Sequence, residues 1–473
     1  MRALLPGRRG RVARRRSRLR QRLLPLSPLR AAVVGSGPAG FYAAGALLSA
    51  DVPVEVDMFE RLPTPWGLVR LGVAPDHPKL KTVSRAFERI AEKPGFRFLG
   101  NVEIGRDIGQ ADLARLYDAV VYAVGAQTDR RLGIPGEDLP GSWAATEFVA
   151  WYNGHPDYQE LAFDLAVDRA VVIGVGNVAL DVARMLALTP EELAPTDTAD
   201  AAIAAICGAS IREIVVVGRR GPAQAAFTTP ELAELGELTG ADVIVDSVDL
   251  EGAVATDTNS ERNLDVLREF AARTPSGKPK RVVLKFFRAP IEIRGTDRVE
   301  GVELVRTVLD QDGRAVATDE RETLECGLVF RSVGYRGVEL PGVPFDEKGG
   351  VIPNEDGRVA PGVYVAGWIK RGPTGVIGTN KKDATETVEH LLADLRDAPR
   401  KGTAAADVDA LLDERGVRRV VYDGWLAIDG HERGRGEPLG RPRVKLCTWN
   451  ELLASAFAVD LERGSPPEQT RAR

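Results

Sequence analysis

Two glycine-spaced strings constrain this chain more than anything else in it. Gly35-Ser36-Gly37-Pro38-Ala39-Gly40 and Gly174-Val175-Gly176-Asn177-Val178-Ala179 each follow an apolar β-branched run and precede a helical one. The spacing answers a physical demand. The first glycine permits a tight turn, the second lets a pyrophosphate approach the backbone, and the third position lets helix and strand pack closely. The helix N-terminus then presents free N–H groups and the positive end of a dipole. One such string is weak evidence. Two, each with strand and helix flanks, imply an α/β chain with two Rossmann-like dinucleotide-binding domains.

The residues beyond each string separate the two sites. After the first, a strand from Val54 to Phe59 delivers Glu60 about 20 residues on, where a carboxylate can bind ribose hydroxyls. After the second, the strand Ile214-Val-Val-Val-Gly218 runs into Arg219 and Arg220. A site for NADH would place an acid there. A guanidinium fork suits a 2′-phosphate, which favours NADPH. Two dinucleotide sites in one chain imply hydride traffic, with NADP as one partner and FAD as the usual tightly held acceptor. Arg70 and Lys81 read equally as phosphate contacts or as surface charges.

Composition excludes several classes. The chain has 473 residues, enough for more than one core, and three cysteines, Cys207, Cys326 and Cys447, far apart in sequence. A redox-active dithiol needs neighbouring thiols, and an iron–sulfur cluster usually needs four ligands. Neither is expected, nor is a metal site, because the four histidines show no zinc-type spacing. Residues 1–30 hold 11 arginines and no acid; the whole chain's formal charge is −5, so the remainder carries −16. An acidic body speaks against nucleic-acid binding. No apolar run reaches the roughly 18 residues of a membrane span. The basic stretch at residues 1–29 is expected to be a disordered leader. It reads as an upstream start, a tail or a transit peptide. The chain is expected to be cytoplasmic and monomeric, or in the mitochondrial matrix if that leader is a transit peptide.

The rest of the chain is less explicit. Residues 189–210, rich in Ala, Thr and Pro, read as a helical insertion or exposed loop. Residues 281–331 alternate apolar and polar and read as antiparallel strands. Residues 398–473 look like an appended tail.

Several strings converge on a family. They are Val33 to Ala43, Pro65-Trp-Gly-Leu-Val-Arg70, Gly72-Val-Ala-Pro-Asp-His-Pro-Lys79, Gly176 to Arg184, Gly218-Arg-Arg-Gly221, Ala226 to Leu232, and Gly367-Trp-Ile-Lys-Arg-Gly-Pro-Thr-Gly-Val-Ile-Gly378. Together the chain resembles the adrenodoxin-reductase-type ferredoxin–NADP⁺ reductases of actinobacteria and mitochondria, over about residues 30 to 460. The resemblance implies a glutathione-reductase-like fold, the second domain inserted in the first. FAD would sit on 30–130 and 345–473, and NADP on 131–344. It implies FAD contacts at Glu60, Leu68 and near Val102, with Gly367, Trp368, Gly375, Val376 and Ile377 bordering the flavin. It implies NADPH contacts at Gly176, Asn177, Val178, Ala179, Arg219, Arg220 and Glu231. His77 and Asp181 would be the catalytic pair beside the flavin, although hydride transfer itself needs no protein acid or base. The activity implied is NADPH–ferredoxin oxidoreduction. The partner implied is a ferredoxin, 2Fe-2S or another small iron–sulfur protein, docking near Arg262 and Arg268. A disulfide reductase would need the missing dithiol, and an amine oxidase would not need the arginine pair.

Overall fold

The protein, described by a computed structural model over residues 27–375 and 377–462, is built on two parallel sheets. Most of the arginine-rich leader and Val376 lie outside those residues.

The first sheet runs in the order Arg358–Ala360, Val363–Val365, Ala119–Tyr122, Leu29–Val34, Val54–Phe59, Phe96–Leu99. All its pairings are parallel except that of the edge strand Arg358–Ala360. The second runs Ser142–Ala144, Leu328–Arg331, Arg169–Ile173, Glu213–Val217, Lys280–Lys285, Ala241–Val245. The chain leaves the first sheet after Tyr122, completes the second, and returns at Arg358. A two-stranded antiparallel ribbon, Thr128–Asp129 against Tyr335–Arg336, marks the crossing out and back.

Leu29–Val34 is buried along its whole length because helices cover both faces of its sheet. Ala31 and Val33 pack with Phe41, Leu47 and Phe87, while Ala32 and Val34 pack with Leu113, Leu116 and Val408. The second sheet is covered differently. Ala170, Val172, Ile214 and Val216 meet Leu180 and Ala183, but Val171, Ile173, Val215 and Val217 meet Ile293, Val302 and Leu304. Those last three belong to a separate antiparallel sheet, Arg288–Arg294, Gly301–Leu309 and Ala315–Glu325. The expectation of antiparallel strands across 281–331 therefore needs correction at both ends. Lys280–Lys285 and Leu328–Arg331 pair in parallel within the second sheet. Alternation reports that one face is more buried, and it carries no information on strand direction.

Residues 398–462 are no loose appendage. They form the helices Ala405–Glu414, Tyr422–Gly436 and Trp449–Glu462, and Leu412, Trp425 and Leu452 enter the cores around the first sheet. Residues 189–210 form two short helices, Pro190–Leu193 and Asp200–Cys207.

Candidate nucleotide sites and the cluster between them

Both glycine strings make the turn expected of them. Gly35 and Gly174 sit at φ 101° and 133°, where only glycine is unstrained, and a Cβ there would lie 2.6 Å from the Ala123 carbonyl and 2.0 Å from the Ser332 carbonyl. Gly40 packs so closely that a Cβ would meet the Gly35 carbonyl oxygen at 1.9 Å. Gly37 and Gly176 behave oppositely: a Cβ on either would find nothing within 4 Å. Each is the N-cap of its helix, Pro38–Leu47 and Asn177–Ala187, and neither helix has a side-chain cap. The first-turn N–H groups of Ala39 and Val178 thus border open space beside the glycines, while Ala179 donates its N–H to the Gly176 carbonyl.

Glu60 accepts from Ser36 N at 3.1 Å, from Ser36 Oγ at 2.7 Å and from Leu62 N at 3.0 Å, which fixes its carboxylate beside the first loop. Val102 is buried and donates its N–H to the Glu60 carbonyl. Trp66 and Gly67, both at positive φ, press the next loop against Gly37 and leave Leu68 exposed at its end. Gly367, at φ 79°, comes so near Ala39 that a Cβ would lie 2.6 Å from the alanine methyl. Trp368 lies tilted against Tyr335 with centroids 5.3 Å apart and donates Nε1–H to the Thr374 carbonyl. Gly375, also at positive φ, precedes the helix Ile377–Asp394. The Trp66–Gly67 loop and Gly367 thus both press on the helix start at Gly37 and Ala39.

At the second loop, Asn177 accepts from Thr228 N at 2.8 Å. Val217 and Ile173 are register partners, so Arg219 and Arg220 emerge beside Gly174. Both arginines are exposed, and neither forms an ion pair among the described residues.

His77, Asp181 and Glu231 also come together, but not as a simple pair. His77 Nε2 lies 3.7 Å from Asp181, 3.4 Å from Glu231, 3.2 Å from Glu234 and 3.8 Å from Asp76. At the hub is Arg184, with a side chain only 3% exposed. It donates to Asp76 at 2.6 and 3.2 Å and to Asp181 at 2.8 Å, pairs with Glu231 and Glu234 at 3.4 Å, and contacts His77 Nε2. Asp181 is too far from His77 for a hydrogen bond and takes one from Arg184 instead. Burial pushes its carboxyl up to about 7, with Glu231 and Asp76 adding to the rise and Arg184 opposing it. Ligand atoms of His77, Glu231 and Glu234 lie within 4.8 Å of one another, yet Arg184 already places a cation among them.

Asp76, Arg184 and Glu234 escaped the sequence reading. Asp76 and Arg184 lay inside strings already singled out, but nothing local marks them as partners across three chain segments. Arg70 is settled: it is buried against Glu432 at 2.5 and 2.9 Å. Lys81 pairs with Asp197 at 2.6 Å. Arg262 and Arg268 lie on the exposed face of the helix Thr258–Ala272, and Arg268 pairs with Asp265.

Residues 29–215 match the model of the pyridine nucleotide-disulphide oxidoreductases. The chain is 52% identical to NADPH-ferredoxin reductase FprA of Mycobacterium tuberculosis over 451 residues, covering 90% of this chain and 99% of that protein. It is 45% identical to the mouse mitochondrial NADPH:adrenodoxin oxidoreductase, covering 89% and 90%. The solved structure of M. tuberculosis FprA in complex with NADPH superposes with a TM-score of 0.88 at 51% identity, covering 91% of this chain and all of that one. With uncapped helix starts at both glycine loops and similarity along nearly its whole length, the chain belongs to the family of NADPH–ferredoxin and NADPH–adrenodoxin reductases.

Proposed function

We propose that this chain is an FAD-containing NADPH–ferredoxin oxidoreductase, with FAD on the first glycine loop and NADPH on the second. The observation that carries it is the second loop. An uncapped helix start at Gly176 stands beside two exposed guanidinia that have no ion-pair partner among the described residues.

Bound FAD would supply hydride uptake from a nicotinamide and single-electron release to an iron–sulfur acceptor. The chain's own residues position and orient. Gly37, Pro38, Ala39 and Gly40 offer the pyrophosphate a backbone cradle, and Glu60 holds the adjoining ribose. Leu68, Val102, Gly367, Trp368, Gly375 and Ile377 border the flavin. Gly176, Asn177, Val178 and Ala179 cradle the second pyrophosphate, and Arg219 and Arg220 grip the 2′-phosphate. Glu231, His77 and Asp181 belong to an acidic cluster that favours the positive charge left on a nicotinamide losing hydride. The exposed Arg262 and Arg268, the latter shared with Asp265, are the contacts offered to a small acidic iron–sulfur protein.

No helix among the described residues is long and apolar enough to cross a membrane. The three cysteines are free thiols, which suits a reducing cytoplasm. The test is an anaerobic titration of the flavin absorbance with NADPH and, separately, NADH, followed by cytochrome c reduction with and without added ferredoxin. Bleaching at much lower NADPH than NADH, with a ferredoxin-dependent rate, supports the reading. Equal use of the two nicotinamides, or no dependence on ferredoxin, overturns it.

A further inference from the structure

A second polar network lies apart from the His77 cluster and crosses between the two sheets' territories. Its receiving end is the turn Thr196–Asp200, between the helices Pro190–Leu193 and Asp200–Cys207 that follow the second glycine-loop helix. Its donating ends are Lys81, just after the His77 loop, and the segment Arg441–Lys445 near the C-terminus. Lys81 Nζ reaches Asp197 Oδ1 at 2.6 Å, and Lys445 Nζ reaches Asp197 Oδ2 at 3.3 Å. Arg441 donates to the Thr196 carbonyl at 2.9 Å, to the Thr198 carbonyl at 2.5 Å and to Asp200 at 2.6 Å. The Lys445 side chain has no exposure at all, and its ammonium also donates to the Arg70 carbonyl and to Asn153 Oδ1. Asp197 is 5% exposed. Burial alone would raise its carboxyl, but the two lysines hold it well below the usual carboxylate range.

We propose that Asp197 is a positioning residue for hydride transfer: by joining Lys81 and Lys445 it docks the Thr196–Asp200 turn onto the first-sheet half and fixes the separation of the two glycine loops. The inference rests on the reductase reading above. The physical case is geometric. The chain passes between the halves through a two-stranded ribbon, and such a ribbon is only marginally rigid by itself. Halves joined this way move relative to one another unless a further interface holds them. The Asp197 bridge is such an interface. One short turn is gripped by three cationic side chains, Lys81, Lys445 and Arg441, and the two lysine pairs to Asp197 are largely buried, away from the salt that would screen a surface pair. Hydride transfer requires the two bound rings at near-contact distance, so a small displacement of one half reduces the rate without altering either binding loop.

The test compares Asp197→Asn and Asp197→Glu with the wild-type holoenzyme. Asparagine keeps the shape and removes the charge; glutamate keeps the charge. Three quantities are read: flavin content, the split between kcat and KM for NADPH with ferricyanide as acceptor, and hydrogen exchange of the amides in residues 196–200. For Asp197→Asn we expect unchanged flavin content, a KM within about twofold, and kcat down about tenfold. That is short of the roughly hundredfold that a 1 Å misplacement costs. Exchange should rise at 196–200 and stay unchanged in the strands 29–34 and 169–173. Asp197→Glu should recover most of kcat. An active wild type with an unaffected Asp197→Asn variant sinks the proposal alone. So does an equal loss of kcat, flavin and thermal stability in both variants, since that marks a merely structural role. A wild type that cannot oxidise NADPH removes the reductase reading and this proposal together.

Discussion

Replacing Arg219 and Arg220 with glutamine tests the most specific statement the second loop makes. Both side chains are exposed and free of ion pairs among the described residues, so their removal leaves no buried acid unpaired. The effect on the protein itself should be close to neutral. The effect on the cofactor should not be. A hydrogen bond to a charged group contributes about 1.5–3 kcal/mol, and exposure places each arginine at the lower end. About 1.4 kcal/mol is tenfold in affinity, so each single variant should weaken NADPH about tenfold. Adjacent arginines sharing one phosphate are not independent. The double variant is therefore expected to fall between about tenfold and about a hundredfold. NADH has no 2′-phosphate, and its affinity should stay where it was. The assay is anaerobic titration of the flavin band with each nicotinamide, at two ionic strengths. Salt should weaken NADPH in the wild type more than in the double variant. A parallel loss for NADPH and NADH, or no loss for either, would refute the assignment of these arginines to the 2′-phosphate.

Other consequences follow from the same geometry. Gly40→Ala puts a methyl 1.9 Å from the Gly35 carbonyl, so the purified protein should carry far less flavin, read as the ratio of flavin to protein absorbance; full occupancy would show that the loop yields. Glu432→Gln leaves Arg70 and Arg443 short of a buried counter-ion, which costs about 3–5 kcal/mol and should lower the thermal midpoint clearly. Asp181 titrates at about 7 in the folded chain against an ordinary value of 3.8, so the folded state keeps its proton in the window between. The stability it contributes is complete at the acid end and declines as pH rises to about 7. Asp181→Asn removes that decline, and its urea midpoint should gain on the wild type as pH rises from about 4 to about 7 and then hold steady. A pH-independent difference between the two would argue that the proton sits elsewhere in the cluster.

The two loops were legible because their demands are local. A positive φ at Gly35, a close approach at Gly40 and open space at Gly37 are all properties of a few consecutive residues, and glycine answers each. Arg219 and Arg220 were legible for the same reason, since strand register alone sets them beside the second loop. The His77 cluster was legible only in part. His77, Asp181 and Glu231 could be named, but the residue that holds them, Arg184, is one more cation on an amphipathic helix until three segments meet. Lys280–Lys285 was misread because a strand near a sheet's edge alternates whichever way its neighbour runs.

The C-terminal segment shows why docking of the two halves could not be read from apolar pattern. The core clusters around the first sheet draw on residues 29–124 and 340–457, and those around the second on 132–333, with Cys447 packing across. Each half thus completes most of its apolar burial alone, and hydropathy is silent on how they meet. What crosses is largely polar: Arg184 to Asp76, Lys81 to Asp197, Lys445 to Asn153, Arg441 to Thr198. The two kinds of contact do different jobs. Apolar burial is non-directional and sets how much is buried more than where. A hydrogen-bonded charge has a length and a direction, so it sets position. In an enzyme whose chemistry depends on two rings held at contact distance, the directional contacts belong at the boundary and the apolar ones inside each half. It follows that substitutions in the cores should be felt first in stability, and substitutions at the crossing contacts first in kcat.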